Sequence, residues 1–132
     1  MVISMKIDQS ILFDLLTSIF AVAGWDIPRS STFVAEINRL ENSQLQNLFN
    51  KSDDAIAKLL ITAGFNRGQK VLGIMTERLH ALLRGLNEDV QIKLSLAIQR
   101  GDSKEISEIL LPINGIGPKV IDNFSSLQKI VK

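Results

Sequence analysis

The sequence predicts an all-α fold, a compact orthogonal domain of about seven or eight helices that spans residues 1–132 and ends in a helical hairpin unit at about 103–131. Two observations support this prediction. Apolar residues recur at three- and four-residue spacing along most of the chain, and capping residues, glycines and prolines separate the periodic segments. A chain of 132 residues is also long enough to bury a core without disulfides.

Four helices are expected in the first half of the chain. Asp8 is a good N-cap for the first helix, Pro28 suits the first turn of the second, and Asp53 is a good N-cap for the fourth. Gly24 and Gly64 end the first and the fourth of these helices. The expected segments are 9–23, 28–40, a short helix from 43, and 53–63.

Four more helices are expected in the second half, with Asn66 and Ser103 as N-caps of two of them. The segment 87–99 is ambiguous, because its apolar residues fit both the two-residue alternation of a strand and a helical stripe. A lone strand would have no partner elsewhere in the sequence, so helix is the preferred interpretation. The expected segments are 67–84, 87–99, 103–110 and 118–130.

Composition excludes several kinds of functional site. The chain has no cysteine and a single histidine, His80, so thiolate metal sites, iron–sulfur clusters, cysteine nucleophiles and histidine-rich metal sites are excluded. We therefore expect no metal and no cofactor. The sequence has neither a run of about 18 apolar residues nor a secretory-signal pattern, which predicts a cytoplasmic protein without a membrane span.

Charge is distributed unevenly along the chain, although the net charge is only +1. Residues 1–54 contain four basic and seven acidic side chains, a balance of −3, whereas residues 55–132 contain eleven and seven, a balance of +4. A basic band of this kind is typical of a modest nucleic-acid binder, and a solvated helix face has the same appearance. The band comprises Lys58, Arg67, Lys70, Arg78 and Arg84.

The most informative stretch is the hairpin expected between the last two helices. Gly115 and Gly117 flank Ile116, so the backbone there can adopt positive φ angles or approach a partner closely, while Ile116 is expected to anchor the hairpin in the core. Pro118 suits the first turn of a new helix. Backbone N–H groups that precede a helix N-terminus, with no side chain to cover them, can bind an anion.

This stretch resembles the helix-hairpin-helix motif, in which a Gly-hydrophobic-Gly hairpin binds a nucleic-acid phosphate. The resemblance implies that DNA is the partner, and that Asn114, residues 115–117 and Lys119 lie at the phosphate. The motif usually has a small residue four positions after the second glycine, where this sequence has Ile121. The alternative interpretation is a helix C-cap followed by a proline, without any ligand.

The order of elements also resembles, on fewer residues, the six-helix domain of the endonuclease III or helix-hairpin-helix DNA glycosylase superfamily. The segments that carry this resemblance are 13–16 and 64–70, followed by the hairpin about 45 residues later. In bifunctional members a lysine just after the hairpin forms a Schiff base with the sugar, and Lys119 stands at the matching position. The superfamily's catalytic aspartate and its iron–sulfur segment have no counterpart in this sequence.

Three functions are compatible with these patterns. The first is a non-catalytic relative of DNA glycosylases that binds double-stranded or damaged DNA without sequence specificity, with Lys119 at the hairpin phosphate and Arg67, Lys70 and Arg78 on neighbouring phosphates. Because backbone amides do not read bases, its selectivity would be for DNA shape or flexibility. The second is an abasic-site lyase with Lys119 as its nucleophile. The third is a helical module that binds a protein partner.

Overall fold

The computed structural model describes residues 7–22 and 24–129, and these residues are helical apart from their connections. The predicted all-α fold is confirmed. The predicted helix ends at 23 and 130, and the end of the hairpin unit at 131, lie outside the described residues. The helices are α1 Gln9–Val22, α2 Ile27–Leu40, a 3₁₀ helix Leu45–Asn50, α3 Asp53–Thr62, α4 Gln69–Gly85, α5 Glu88–Arg100, α6 Ser103–Leu110 and α7 Pro118–Leu127.

Helix α1 lies at the centre of the fold, in contact with α2, α4, α7 and the 3₁₀ helix. Asp8 caps it as predicted, because the Asp8 carboxylate accepts the Ile11 N–H at 3.0 Å. Its buried positions cover most of the helix circumference rather than one stripe, as expected of a central helix. These positions are Ile11, Leu12, Leu15, Leu16, Thr17, Ser18, Ile19 and Phe20.

The other helices surround α1, and one hydrophobic cluster runs through the described residues with a contribution from every helix. Near the C-terminal end of the described chain, α7 packs directly on α1, and α6 packs on both α5 and α7. The hairpin between α6 and α7 is therefore attached to the core on both sides. No helix in the described ranges is both long and apolar enough to cross a bilayer.

The start of α4 differs from the prediction. The sequence predicts a helix from Arg67 with Asn66 as its cap, but the helix begins at Gln69 and Gly68 is its N-cap. Gly68 has a φ of +90°, a value that residues with a side chain rarely adopt, so the helix does not extend back through it. Arg67 consequently lies in the loop between α3 and α4.

Two predicted N-caps are wrong by one residue. The Ser52 hydroxyl caps α3 by accepting the N–H three residues later at 3.2 Å, and Asp53 is the first helical residue. The Asp102 carboxylate caps α6 in the same way at 3.1 Å, in place of Ser103. In both cases two adjacent residues are good N-caps, so propensity alone does not select between them.

Two further segments test the pattern-based predictions. The short helix predicted from Ser43 begins two residues later as a 3₁₀ helix, because Asn42 and Ser43 have φ angles of +55° and +62°. The ambiguous segment 87–99 is helical, as preferred. Asn87 caps it by accepting the Val90 N–H at 3.0 Å, so the alternation of apolar residues there does not reflect a strand.

Candidate nucleic-acid interface

The hairpin between α6 and α7 comprises residues 111–117, and two backbone hydrogen bonds close it. The Ile113 N–H donates to the Leu110 carbonyl at 3.0 Å, and the Ile116 N–H donates to the Ile113 carbonyl at 3.1 Å. Gly115 has a φ of +91°. A residue with a Cβ would be strained in this conformation, so the turn itself requires glycine here.

Gly117 differs from Gly115 in its conformation and its surroundings. Its backbone is extended, with φ −110° and ψ −178°, and it is the N-cap of α7, where no side chain forms a capping hydrogen bond. Among the described residues, no acceptor receives the backbone N–H of Gly115 or Gly117. A Cβ on Gly117 would meet no atom within 4 Å, so the space around this N-cap is open.

Two isoleucines attach the hairpin to the rest of the protein. Ile116, between the glycines, is 5% exposed, and its predicted burial is confirmed. Ile113 is also buried and lies against the last residue of α4, Gly85, where a Cβ would be only 2.9 Å from Ile113 Cγ1 and Cγ2. The hairpin therefore sits on α4 at a position where only a glycine leaves room for it.

Arg78 of α4 is the basic residue that lies at the hairpin. A Cβ on Gly115 would be 3.3 Å from Arg78 Cγ, so the arginine side chain passes directly beside this glycine. Asn114, Gly115 and Lys119 are exposed, and Gly117 is half-buried. None of the ion pairs among the described residues includes Arg78 or Lys119. Two cations without a carboxylate partner thus accompany the hairpin.

The other two predicted contacts, Arg67 and Lys70, lie at the opposite end of α4. The Arg67 guanidinium approaches the turn before α2, with Nη2 3.2 Å from the position that a Cβ on Gly24 would occupy. Lys70 precedes Arg78 by eight residues, which is about 12 Å of helix axis. The predicted set of DNA-contacting residues is therefore divided between the hairpin and a separate position.

The sequence did not single out the pairing of the hairpin with α4. The sequence predicts Arg78 on a neighbouring phosphate, like Arg67 and Lys70, and Gly85 indicates only the end of a helix. Their separation of seven residues puts both on one face of α4, two turns apart. That spacing is the one signal in the sequence that Arg78 and Gly85 contact the same segment of the protein.

Two further residues, His80 and Trp25, make contacts that hold the fold together. His80 Nδ1 lies 2.5 Å from Asp53 Oδ1, which links α4 to the start of α3. The described residues contain no group of three or more His, Asp or Glu side chains that could hold a metal ion. Trp25 is 6% exposed and packs among other aromatic rings. It is a core residue at the edge of the fold, and its ring is not free to stack on a base.

The hairpin offers donors and positive charge rather than groups for acid–base chemistry. Its own residues contain no carboxylate and no histidine, and the helix N-terminus behind it adds partial positive charge. Such a site can bind an oxyanion. No family model, no curated protein and no solved structure matches the chain, so the resemblances described above rest on the residues of this chain.

Proposed function

We propose that this protein binds double-stranded or damaged DNA without sequence specificity, and that residues 103–129 act as a helix-hairpin-helix. One observation carries the proposal. The N–H groups of Gly115 and Gly117 have no acceptor among the described residues, and they stand at the uncapped N-terminus of α7. Neighbouring amide donors at the positive end of a helix suit a phosphate group.

The charges around the hairpin support a phosphate ligand. Arg78 passes beside Gly115, and Lys119 is exposed in the first turn of α7. Each can add a charge-assisted hydrogen bond to the phosphate that the backbone amides hold. Because Asn114 and Gly115 are exposed, the site is accessible to a phosphate of a large polymer, which could not enter a closed pocket.

Arg67 and Lys70 supply a second contact to the same duplex in this proposal. The axial distance of about 12 Å between Lys70 and Arg78 is well below one turn of B-DNA, which is about 34 Å. Phosphates on one duplex can therefore reach both ends of α4. All these contacts are to the backbone, so the affinity depends on DNA shape and flexibility rather than on sequence.

The first test is fluorescence anisotropy with a short labelled duplex, intact or with one abasic site, over a series of salt concentrations. If each of the four cations Arg67, Lys70, Arg78 and Lys119 releases about one counterion from the DNA, log affinity falls with log salt with a slope of about −3.6. Gly117→Val tests the hairpin directly, because a Cβ there meets no atom and the extended backbone accepts it. We expect this variant to fold normally and to bind at least about tenfold more weakly, the equivalent of about 1.4 kcal/mol.

Two lysine variants provide the matched comparison. Lys119→Gln removes a cation at the hairpin and is expected to reduce the salt slope by about 1. Lys104→Gln removes an exposed lysine at the far end of α6 and is expected to change nothing. Absence of binding at low salt contradicts the proposal, and full binding by Gly117→Val contradicts the role of the hairpin.

The lyase alternative has less structural support. A Schiff-base lysine is usually activated by burial or by a neighbouring cation, and Lys119 is exposed. Borohydride added to the abasic duplex tests this alternative. We expect no trapped adduct. An adduct that forms with the unmodified protein and is lost in Lys119→Arg would replace the binding function with a catalytic one.

A further inference from the structure

An open groove of 720 Å³ runs along α2 on the side that faces the C-terminal end of α3. Its volume falls in the range of ligand-binding clefts, about 300–1,000 Å³, and its lining is mainly apolar. Ala63 and Gly64 form the α3 wall. The other wall comprises Trp25, which precedes α2, and the α2 residues Arg29, Thr32, Phe33, Ala35, Glu36 and Arg39.

The floor of the groove belongs to a cluster of four aromatic rings. Trp25 lies 4.9 Å from Phe33, 5.9 Å from Phe20 and 5.7 Å from Phe65, measured between ring centroids. Trp25 and Phe33 are almost fully buried, at 6% and 8% exposed. Such a floor is rigid, because each ring is held by the others, and it offers ring edges and aliphatic surface to an incoming group.

Positive charge predominates around the groove. The Arg29 guanidinium lies over Trp25, 5.0 Å from the ring centroid, and forms no ion pair among the described residues. The Arg67 guanidinium lies beside Gly24, the residue before Trp25, and is not part of the groove lining. At the other end Arg39 donates two hydrogen bonds to Glu36, at 2.8 and 2.6 Å, so these two charges offset one another.

We propose that this groove binds a short acidic peptide segment of a partner protein. An aliphatic side chain of the segment rests on the aromatic floor, and a carboxylate of the segment pairs with Arg29. This proposal is independent of DNA binding by the hairpin, because it uses different residues and a different ligand.

The dimensions of the groove favour a peptide over a small molecule. From Arg29 to Arg39 the α2 wall extends over ten residues, about 15 Å of helix axis. Two to three turns of a peptide helix, or about five residues of an extended chain, fill that length. A groove that is open along its length and apolar at its floor resembles the surfaces that accept helices through spaced apolar anchors.

The aromatic floor argues against single-stranded nucleic acid as the occupant. Base-binding platforms need exposed ring faces, whereas Trp25 is buried and Arg29 already covers its face. The groove therefore lacks the stacking surface that bound bases require.

The chain offers a direct optical probe of the groove, because Trp25 is its only tryptophan. A random library of peptides of about ten residues, which as a helix spans about 15 Å, is first selected on the full-length protein. Enriched peptides are then synthesised and titrated while Trp25 emission is recorded. We expect enrichment of acidic residues next to a large aliphatic residue, and saturable changes of the emission.

Variants locate the binding at the groove. Ala35 is exposed on the groove wall, so Ala35→Phe fills the groove without disturbing the core and is expected to abolish binding. Arg29→Gln is expected to weaken binding about fivefold, whereas Arg29→Lys, which keeps the charge, retains most of it. Lys58→Gln removes an exposed lysine of α3 that does not line the groove, and it is expected to bind normally.

Three results would overturn the proposal. They are a selection that enriches no acidic peptide, peptides that bind Ala35→Phe as well as the unmodified protein, and a single-stranded oligonucleotide that shifts Trp25 emission and displaces the peptide. Gly117→Val serves as a further control. It is expected to leave peptide affinity unchanged, so failure of the groove and failure of the DNA-binding hairpin give different results.

Discussion

The hairpin and the aromatic groove differ in how the protein builds them. The hairpin presents backbone N–H groups, and its shape depends on consecutive residues, with a left-handed φ at Gly115 and an extended Gly117 as N-cap of the next helix. The groove presents side chains, and its floor brings together Phe20, Trp25 and Phe65, which are up to 45 residues apart in the sequence.

This difference explains why one region is visible in the sequence and the other is not. Two glycines around an isoleucine, followed by a proline, predict a turn into a helix from the pattern alone, because glycine permits the positive φ of a turn and proline suits the first helical turn. The aromatic residues of the groove carry no such local signal. They form a site only because α1, α2 and the loop that follows α3 pack together.

The largest expected effect tests how far the groove depends on packing. Phe20 is fully buried and touches both Trp25 and Phe33. Phe20→Ala is expected to lower the free energy of unfolding by about 3–5 kcal/mol, measured by urea denaturation, because it leaves a cavity beneath the groove. Ile61→Ala, at a position 54% exposed, is the control and should change stability by less than about 0.5 kcal/mol. A small loss in Phe20→Ala would mean that the cluster is loosely packed.

Substitutions at two glycines of α4 distinguish the packing of the hairpin on α4 from the stability of the helix itself. Gly85 has no room for a Cβ, because Ile113 lies 2.9 Å away, and Gly85→Ala is expected to lower stability by about 1 kcal/mol. Gly73 has open space and lies inside the helix, so Gly73→Ala should raise stability by up to about 1 kcal/mol. Thermal unfolding of both variants measures the difference, and equal shifts in one direction would contradict the docking of the hairpin on α4.

A comparison of two arginines shows which end of α4 matters more for DNA. Arg78 lies at the hairpin and Arg67 beside Gly24. We expect Arg78→Gln to weaken duplex binding about fivefold, the equivalent of about 1 kcal/mol, and Arg67→Gln to weaken it less. Anisotropy at one fixed low salt concentration measures both variants. The reverse order would assign the main DNA contact to the loop between α3 and α4.

The smallest expected effect concerns Asp14, which lies in neither region. Burial raises the pKa of its carboxyl, and the hydrogen bond from Gln128 acts in the opposite direction. Because the pKa in the folded state is the higher one, protonated Asp14 favours folding below the unfolded value of 3.8, and this contribution is lost as pH rises through the folded pKa.

Asp14→Asn removes the free-energy cost of burying an ionised carboxylate. Its side-chain carbonyl can still accept the hydrogen bond from Gln128. Its unfolding free energy is expected to exceed that of the unmodified protein at pH 7 by up to about 0.5 kcal/mol, and the two should converge near pH 3. Urea unfolding at both pH values makes the measurement. A variant that is less stable at pH 7 would show that the hydrogen bond outweighs burial.

Local sequence is enough to predict the helical class, the position of most helices, the cap at Asp8 and the turn at Gly115. These features depend on apolar periodicity and on backbone conformations that only a few residue types adopt, so they are readable from neighbours along the chain. The exact caps of α3 and α6 cannot be predicted in this way, because adjacent residues there have similar capping propensity.

Helix packing determines which residues share a surface. It brought Arg78 and Gly85 to the hairpin, separated Arg67 and Lys70 from it, and assembled the groove. The physical reason is that side-chain neighbours depend on helix packing, and packing depends on complementary shapes contributed by segments distant in the sequence. A basic band in the sequence therefore predicts charge, and only the packed helices determine where that charge acts.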